Sequence, residues 1–535
     1  MTETTEDDDA GTPPPRGVLA TARHLGPGLI IAGAIVGSGE LIMTTKTGAQ
    51  SGISLLWLIV VGCVIKVFVQ VELGRYAVTN RQTTLEALDS LPGPRLRVHP
   101  VLWLWAAMML ATMLQLGGIV GGVGQAMAIA VPLTGDYRES LLIPGTSELS
   151  FYLDNRDAEQ TDSEAWQSRT PAEREKLRRR VAYTEDRLRR AGLRGEDAVR
   201  SLQQTGEVVD PPTRDDKYWA MAAALLTMML LSGGRYSLVQ NVSTVLVTLF
   251  TVATLVNVFG LQATDEYRVT LSEILSGLAF SLPDTPGAVG TALATFGLIG
   301  VGATELIAYP YWCLEKGYGR HTGPTDDSPE WAARASGWLR VMRIDAFVSM
   351  AVYTTATLAF FLIGVAVLHD AGLDPDGTRM ISTLAEAYLP VFGKTAEWVF
   401  LIGAVAVLYS TFLIAIAAQT RIYTDALAIF GLLDGEDERV RRRSISSLAV
   451  VLPTLFLGFY WVGLNPVQGV IASGVMQGLM QPVLAVTAVY FRYCRTRPGL
   501  TPGVVWDVFL WVSVAGMVLA GAWGIFVKVR DVVGG

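Results

Sequence analysis

Two glutamates occupy positions where a membrane would be least hospitable to them. Val36-Gly37-Ser38-Gly39-Glu40-Leu41-Ile42 lies in one long apolar run and Val301-Gly302-Ala303-Thr304-Glu305-Leu306-Ile307 in another, and five of the seven positions match. A carboxylate inside a membrane span costs a few kcal/mol, so it is a functional candidate by default. Two carboxylates brought close together cannot both stay charged without a cation between them. That cation is a substrate, a coupling ion, a proton or a protein residue. Two structural roles compete with this reading. Each glutamate opens the second half of an interrupted helix, where the dipole stabilises a negative charge. Lys66, in the middle of an apolar run, is a possible bridging partner for one of them.

The elements that must carry these residues follow from composition. Of 535 residues, 51% are hydrophobic and 17% charged, against about 25% charged in soluble domains. Runs of roughly 20 apolar residues read as membrane spans, and about eleven can be counted. An acidic, proline-rich stretch precedes them and reads as a disordered cytoplasmic tail over residues 1–22, with no cleavable signal. Three spans fill residues 23–134 and eight fill 217–535. Between them, residues 135–216 are densely charged with both signs mixed, and read as an extracytoplasmic helical insertion. Thr170-Pro171-Ala172-Glu173 has the pattern of a capped helix start, with helices expected to Ala191 and from Glu196 to Gln204. The insertion is either a solvated hairpin or a docking surface for a protein partner. Arginines and lysines gather in alternate short loops, which puts the N-terminus in the cytoplasm, and a bacterial inner membrane is the expected location.

The repeat sets the architecture. Its copies lie in the first and sixth spans, five apart, and an odd number reverses the crossing direction. Inverted five-span repeats are a transporter architecture, with a midplane site between interrupted helices. The glycines of Gly37-Ser38-Gly39 and Gly300-Val301-Gly302 weaken the helix, and unwound backbone is tolerated at that depth only where it lines a cavity. The expected site is therefore Gly37, Ser38, Gly39, Glu40, Ala303, Thr304 and Glu305, with Glu40 and Glu305 as cation ligands facing one cavity. The three cysteines lack metal-like spacing, and the four histidines fall at span ends or in loops, so no imidazole is expected in the membrane core.

Several stretches resemble the Nramp family of divalent-metal transporters. Thr47–Arg75 is similar to that family's first loop and second helix, and Leu339–Asp345 to the start of its seventh. Tyr409–Asp425 and Met480–Phe491 are similar to its eighth and tenth helices. The resemblance implies an all-α membrane protein of the LeuT-type fold, an inverted 5+5 repeat with the first and sixth helices broken. The chain departs from the family at its functional motifs. Gly37-Ser38-Gly39-Glu40 replaces Asp-Pro-Gly-Asn, which puts Gly37 where the metal-ligating Asp would be. In the sixth helix Leu306 stands for the ligand Met and Ala308 for the His. Gln115 and Gly118 align with the acidic proton-relay pair of the third helix. Gln477 and Gln481 flank the position of the tenth-helix glutamine.

Losing the thioether removes a soft ligand, while carboxylate and carbonyl oxygens suit Mg²⁺, Mn²⁺ or Ca²⁺. The expected function is thus a secondary transporter of a hard divalent cation, without the family's proton coupling and with no cofactor beyond a transported or coupling cation. An ion-coupled transporter of a small organic solute is the alternative, in which Ser410 and Thr411 would help bind Na⁺ and Tyr309, Tyr311 and Trp312 would supply aromatic walls. A transporter-fold sensor is a third. No nucleophile–base pair or phosphate loop points to an enzyme, and the partners expected are a small substrate and the bilayer, not nucleic acid.

Overall fold

The computed structural model describes residues 11–37, 39–159, 164–167, 169, 171–206, 208, 211–232, 236–281, 288–369, 371–375 and 379–533. These are almost wholly helical, with one isolated bridge between Leu96 and Val98. Both expected helix breaks are present. Helix α1 (Pro27–Ile35) stops at the glycine-containing stretch, and α2 resumes as a π-helical turn, Gly39–Thr44, continued by Thr45–Ser51. Ser38, in the gap, lies outside the described residues. The second copy stops at the end of α7 (Ala288–Leu298), passes through Gly300 at φ 59°, and resumes as α8 (Ala303–Glu315).

Between these come α3 (Leu56–Asn80), α4 (Pro100–Ala130), α5 (Asp215–Ser232) and α6 (Tyr236–Gln262). After them follow α9 (Pro329–Ile363), α10 (Ala396–Ile429), α11 (Glu438–Trp461), α12 (Pro466–Tyr490) and α13 (Val504–Val533). Helical structure is nearly continuous from Gly39 to Asn80, but the chain doubles back at Gly52, whose φ is 56°. Thr47 bonds Thr295 while Lys66 bonds Phe296, one residue along. A straight helix would hold Thr47 and Lys66 about 28 Å apart.

Eleven spans were expected, and eight helical stretches among the described residues are long and apolar enough to cross a membrane. The shortfall has local causes. The first span is split, and α5 has only 18 residues, beginning with Asp215 and Asp216. Of α6, only Thr248–Gln262 enters the count, as an apolar stretch shorter than a span.

Helix partners reproduce a two-fold relation between the halves. Each of α3, α4 and α5 packs on its counterpart, α9, α10 and α11 respectively. Likewise α1 packs on α6 as α7 packs on α12, and α4 on α12 as α10 on α6. This is the LeuT-type fold with an inverted repeat.

One face gathers the arginine-rich loops: Arg497 bonds Asp327 and Asn80, Arg495 bonds Ser90 O, and Arg81 bonds Gly319 O. The expected tail is partly held there. Thr12 N–H donates to His321 O at 2.9 Å, Trp338 Nε1 donates to Thr12 O at 2.8 Å, and Val18–His24 is helical. Within that helix, Val18 and Leu19 stand 89% and 73% exposed. On the opposite face, helices Pro171–Ala191 and Leu193–Thr205 of the insertion fold over a small core of Ile143, Leu149 and Ala198. Thr170, the expected cap, lies outside the described residues.

Candidate functional site

Glu305 sits in the first turn of α8, half-buried, where helix-terminal N–H groups favour negative charge. Thr304 Oγ1 donates to Glu305 Oε2 at 2.8 Å and also lies 3.0 Å from Gln477 Oε1. Gln477 Nε2 reaches Gln115 Oε1 at 3.3 Å and Ser473 Oγ at 3.2 Å, and Ser473 donates to Gln115 Oε1 at 2.6 Å. A polar row therefore runs from α8 across α12 to α4. It fixes the rotamers behind Glu305.

Glu305, Thr304 and Gln115 line a cavity with room for a few waters, together with Gly39 and Thr411. Its remaining wall is largely apolar, with Ile31, Trp105, Met109, Trp312 and Ile414 prominent. On α4 the lining runs from Trp105 to Ile119 and on α10 from Thr411 to Ile422, mostly the halves of those helices nearer the arginine-rich loops, so the cavity lies toward that face. Trp105 and Gln419 also line the cavity, though Trp105 Nε1 and Gln419 Oε1 are themselves buried and have no hydrogen-bond partner among the described residues.

Glu40 does not face this cavity, which corrects the symmetric expectation. It is fully buried; Oε1 accepts a bond from Thr357 Oγ1 at 3.2 Å, and Oε2 has no partner among the described residues. The reason is helical phase. Glu40 is the second residue of a π-turn, whereas Glu305 is the third residue of an α-helix capped by Gly302. The same motif is rotated differently in the two halves.

Lys66 serves neither glutamate as a bridge. Its ammonium donates to Phe296 O and, at 2.8 Å, to Ile299 O, and lies 4.5 Å from the Phe296 ring centroid. It thus satisfies carbonyls left free at the C-terminus of α7, a favoured place for a cation. Gly37 is pressed against α10, where Thr411 Oγ1 also reaches Gly33 O and Ala34 O at 3.4 Å. Ser410 bonds its own helix at Val407 O, and Gln481 donates to Gly297 O at 2.9 Å, so both stand off the cavity. Ala303 is buried at the start of α8. Of the aromatics, Trp312 reaches the wall, while Tyr309 bonds Met342 O and Tyr311 bonds Asp425.

Sequence reading passed over several residues. Trp105, Met109 and Gln419 line the cavity but look like ordinary span residues in sequence. Asp345 accepts from Gly26 and Gly28 N–H at 2.9 and 2.5 Å, capping α1 from a different span. Its place just inside the seventh span was the available signal, as an intramembrane carboxylate. Among the described residues, no group of three or more His, Cys, Asp or Glu side chains is placed to hold a metal ion.

Comparisons with known proteins bear on this arrangement. A search of curated protein sequences returned no match. Among solved structures, a histidine-to-alanine mutant of the manganese transporter of Eremococcus coleocola is similar over 100% of this chain and 92% of its own, with 14% identity and a TM-score of 0.59. The same transporter with an aromatic bis-isothiourea substituted compound gives 13% identity and a TM-score of 0.57, over 100% of this chain and 92% of that one. At such identities the likeness speaks for the fold. The sequence profile described as "Natural resistance-associated macrophage protein-like" matches residues 213–527, from the end of the insertion nearly through α13. That is more than half of the chain, and it includes α8 and Glu305. The chain is an integral membrane transporter and belongs to the Nramp family.

Proposed function

We infer that the protein carries a hard divalent cation, Mg²⁺, Mn²⁺ or Ca²⁺, across a bacterial inner membrane, with its N-terminus and arginine-rich face in the cytoplasm. Residues 23–134 and 217–535 form the transport unit, and 135–216 an insertion on the outer side. The observation that carries this reading is the carboxylate of Glu305, presented with Thr304 and Gln115 to a cavity whose α8 wall offers no thioether or imidazole, Met109 on α4 being the thioether in its lining. The cavity has room for an ion with only a few waters. Mg²⁺ in particular sheds water reluctantly. One charged ligand with the neighbouring oxygen of Thr304 fits a cation held partly through its hydration shell. Likeness to a manganese transporter in fold supports the cargo class. The family's proton relay has no titratable counterpart at Gln115, Gly118 and Ala308, so its coupling is not carried over.

The apolar walls, with Trp105 and Trp312, favour one second reading: a small organic cation paired with Glu305. Uptake into proteoliposomes separates the two. The cation reading expects accumulation of Mg²⁺ or Mn²⁺ above empty vesicles and little Cd²⁺; uptake of organic amines alone would overturn it.

A further inference from the structure

The insertion is tied to the outer end of α2 through one short loop. Lys46 in α2 is 5% exposed, and its ammonium meets Asp374 Oδ1 at 2.6 Å and Pro375 O at 3.0 Å. One turn on, Gln50 Nε2 donates to Asp374 Oδ2 at 2.9 Å. The loop after α9 is thereby folded over the tip of α2. His369 Nδ1 lies 2.8 Å from Ala49 O, adding a second attachment. Beneath this lid, Thr47 and Thr295 share a hydroxyl bond of 2.6 Å that closes α2 on α7. The Glu305 cavity lies on the other side of these contacts, and a second, larger cavity lined by Gly52, Glu273 and His369 flanks the tip of α2.

The same loop is gripped from above. Arg180, in the insertion helix Pro171–Ala191, donates to Gly372 O at 2.7 Å, and Arg379 Nε donates to Ile143 O at 2.7 Å. Gly372 has φ 64°, and a Cβ there would lie 1.9 Å from the Arg180 guanidinium. Only glycine allows that approach. The grip is stiff on its own side: Arg180 lies 3.3 Å over the Phe151 ring, and Arg187 bonds Glu148 at 2.7 Å and Leu141 O at 2.6 Å.

We propose that the insertion is a strap on the outer gate: it holds the chain at Gly372 and at Arg379, on either side of Asp374, so that Asp374 stays locked on Lys46. For the outer side to open, α2 must leave this loop and break a largely buried, charge-assisted bond. Fixing the loop from above removes the freedom it would otherwise gain, and so favours the closed gate. The occupant of this surface of the insertion is the chain's own loop. The proposal rests on the alternating-access reading but not on the identity of the cargo.

The test is a labelling rate in nanodiscs, with both faces in solution. Thr295→Cys, buried under the gate and off the Glu305 cavity, is introduced together with Cys494→Ser to remove the exposed thiol; Cys63 and Cys313 are buried. A membrane-impermeant maleimide then reports gate opening. Lys46→Ala, Arg180→Ala and Arg379→Ala should each raise the rate roughly tenfold, the scale of one charge-assisted hydrogen bond. Arg200→Ala, whose partners Glu196 and Asp197 lie within the insertion, should leave it unchanged. Melting temperatures identify any variant that labels because it unfolds. If Arg180→Ala and Arg379→Ala stay within twofold of the parent while Lys46→Ala does not, the strap is overturned. If all three stay within twofold, the gate falls as well.

Discussion

Gly37 and Thr411 approach so closely that a Cβ on Gly37 would lie 1.8 Å from Thr411 Oγ1 and 2.7 Å from its Cβ. The volume an aspartate side chain would use at this break is filled from α10. Gly37→Ala should therefore lower stability by about 1–3 kcal/mol, the usual cost of overpacking. Thr411→Gly removes the atoms in the way, so the double mutant should melt higher than the two single effects predict. Strict additivity of the melting temperatures would count against this packing.

Proton coupling of the family type should be missing. Gln115 is held by Ser473 and Gln477, and Ala308 cannot titrate. At Gly118 an added Cβ would meet Pro466 O at 2.6 Å, which leaves no room for a relay acid. Cation uptake into proteoliposomes should proceed without a pH gradient and without acidifying the lumen. Stoichiometric lumen acidification, read with an entrapped dye, would contradict this.

Docking of residues 11–17 should weaken in acid. Burial, aided by His24 and Arg320, holds the His321 imidazole below its ordinary range, and Thr12 and Trp338 pack on the same residue. A lowered pKa means the docked state prefers neutral His321. Docking is then fullest above the ordinary value of about 6.5 and is lost as pH falls through it toward the lowered one. Hydrogen exchange of residues 11–17, corrected for intrinsic rate, should speed up between pH 7.5 and 5.5. His321→Ala should abolish that dependence.

The breaks at Ile35 and Leu298 were legible because glycine weakens a helix locally, whatever packs around it. Which way each glutamate points was not. A π-turn after the first break and a Gly-capped α-turn after the second rotate the same motif differently, and residue spacing carries no sign of that. Lys66 misled for a related reason. Its chain is long enough to reach another span's free carbonyls, and a helix C-terminus offers a cation as much as a carboxylate does. The Lys46–Asp374 and Gly28–Asp345 bonds join residues more than 300 positions apart, so only the folded chain reveals them.

The two carboxylates now have different expected roles, and this is where the account is most exposed. Glu305 faces the cavity, and Glu40 is sealed behind it against Thr357. A glutamine at position 40 keeps an oxygen for Thr357 and replaces the charged carboxylate with a neutral amide, which is cheaper to bury. The decisive measurement is Mn²⁺ and Mg²⁺ binding by calorimetry to the parent, Glu305→Gln and Glu40→Gln. Glu305→Gln should weaken binding by roughly 1.5–3 kcal/mol, about 10- to 150-fold, with its melting temperature nearly unchanged. Glu40→Gln should stay within about threefold of the parent, or well under 1.4 kcal/mol. Unchanged affinity in Glu305→Gln, or no divalent-cation binding by the parent, would contradict the cation site.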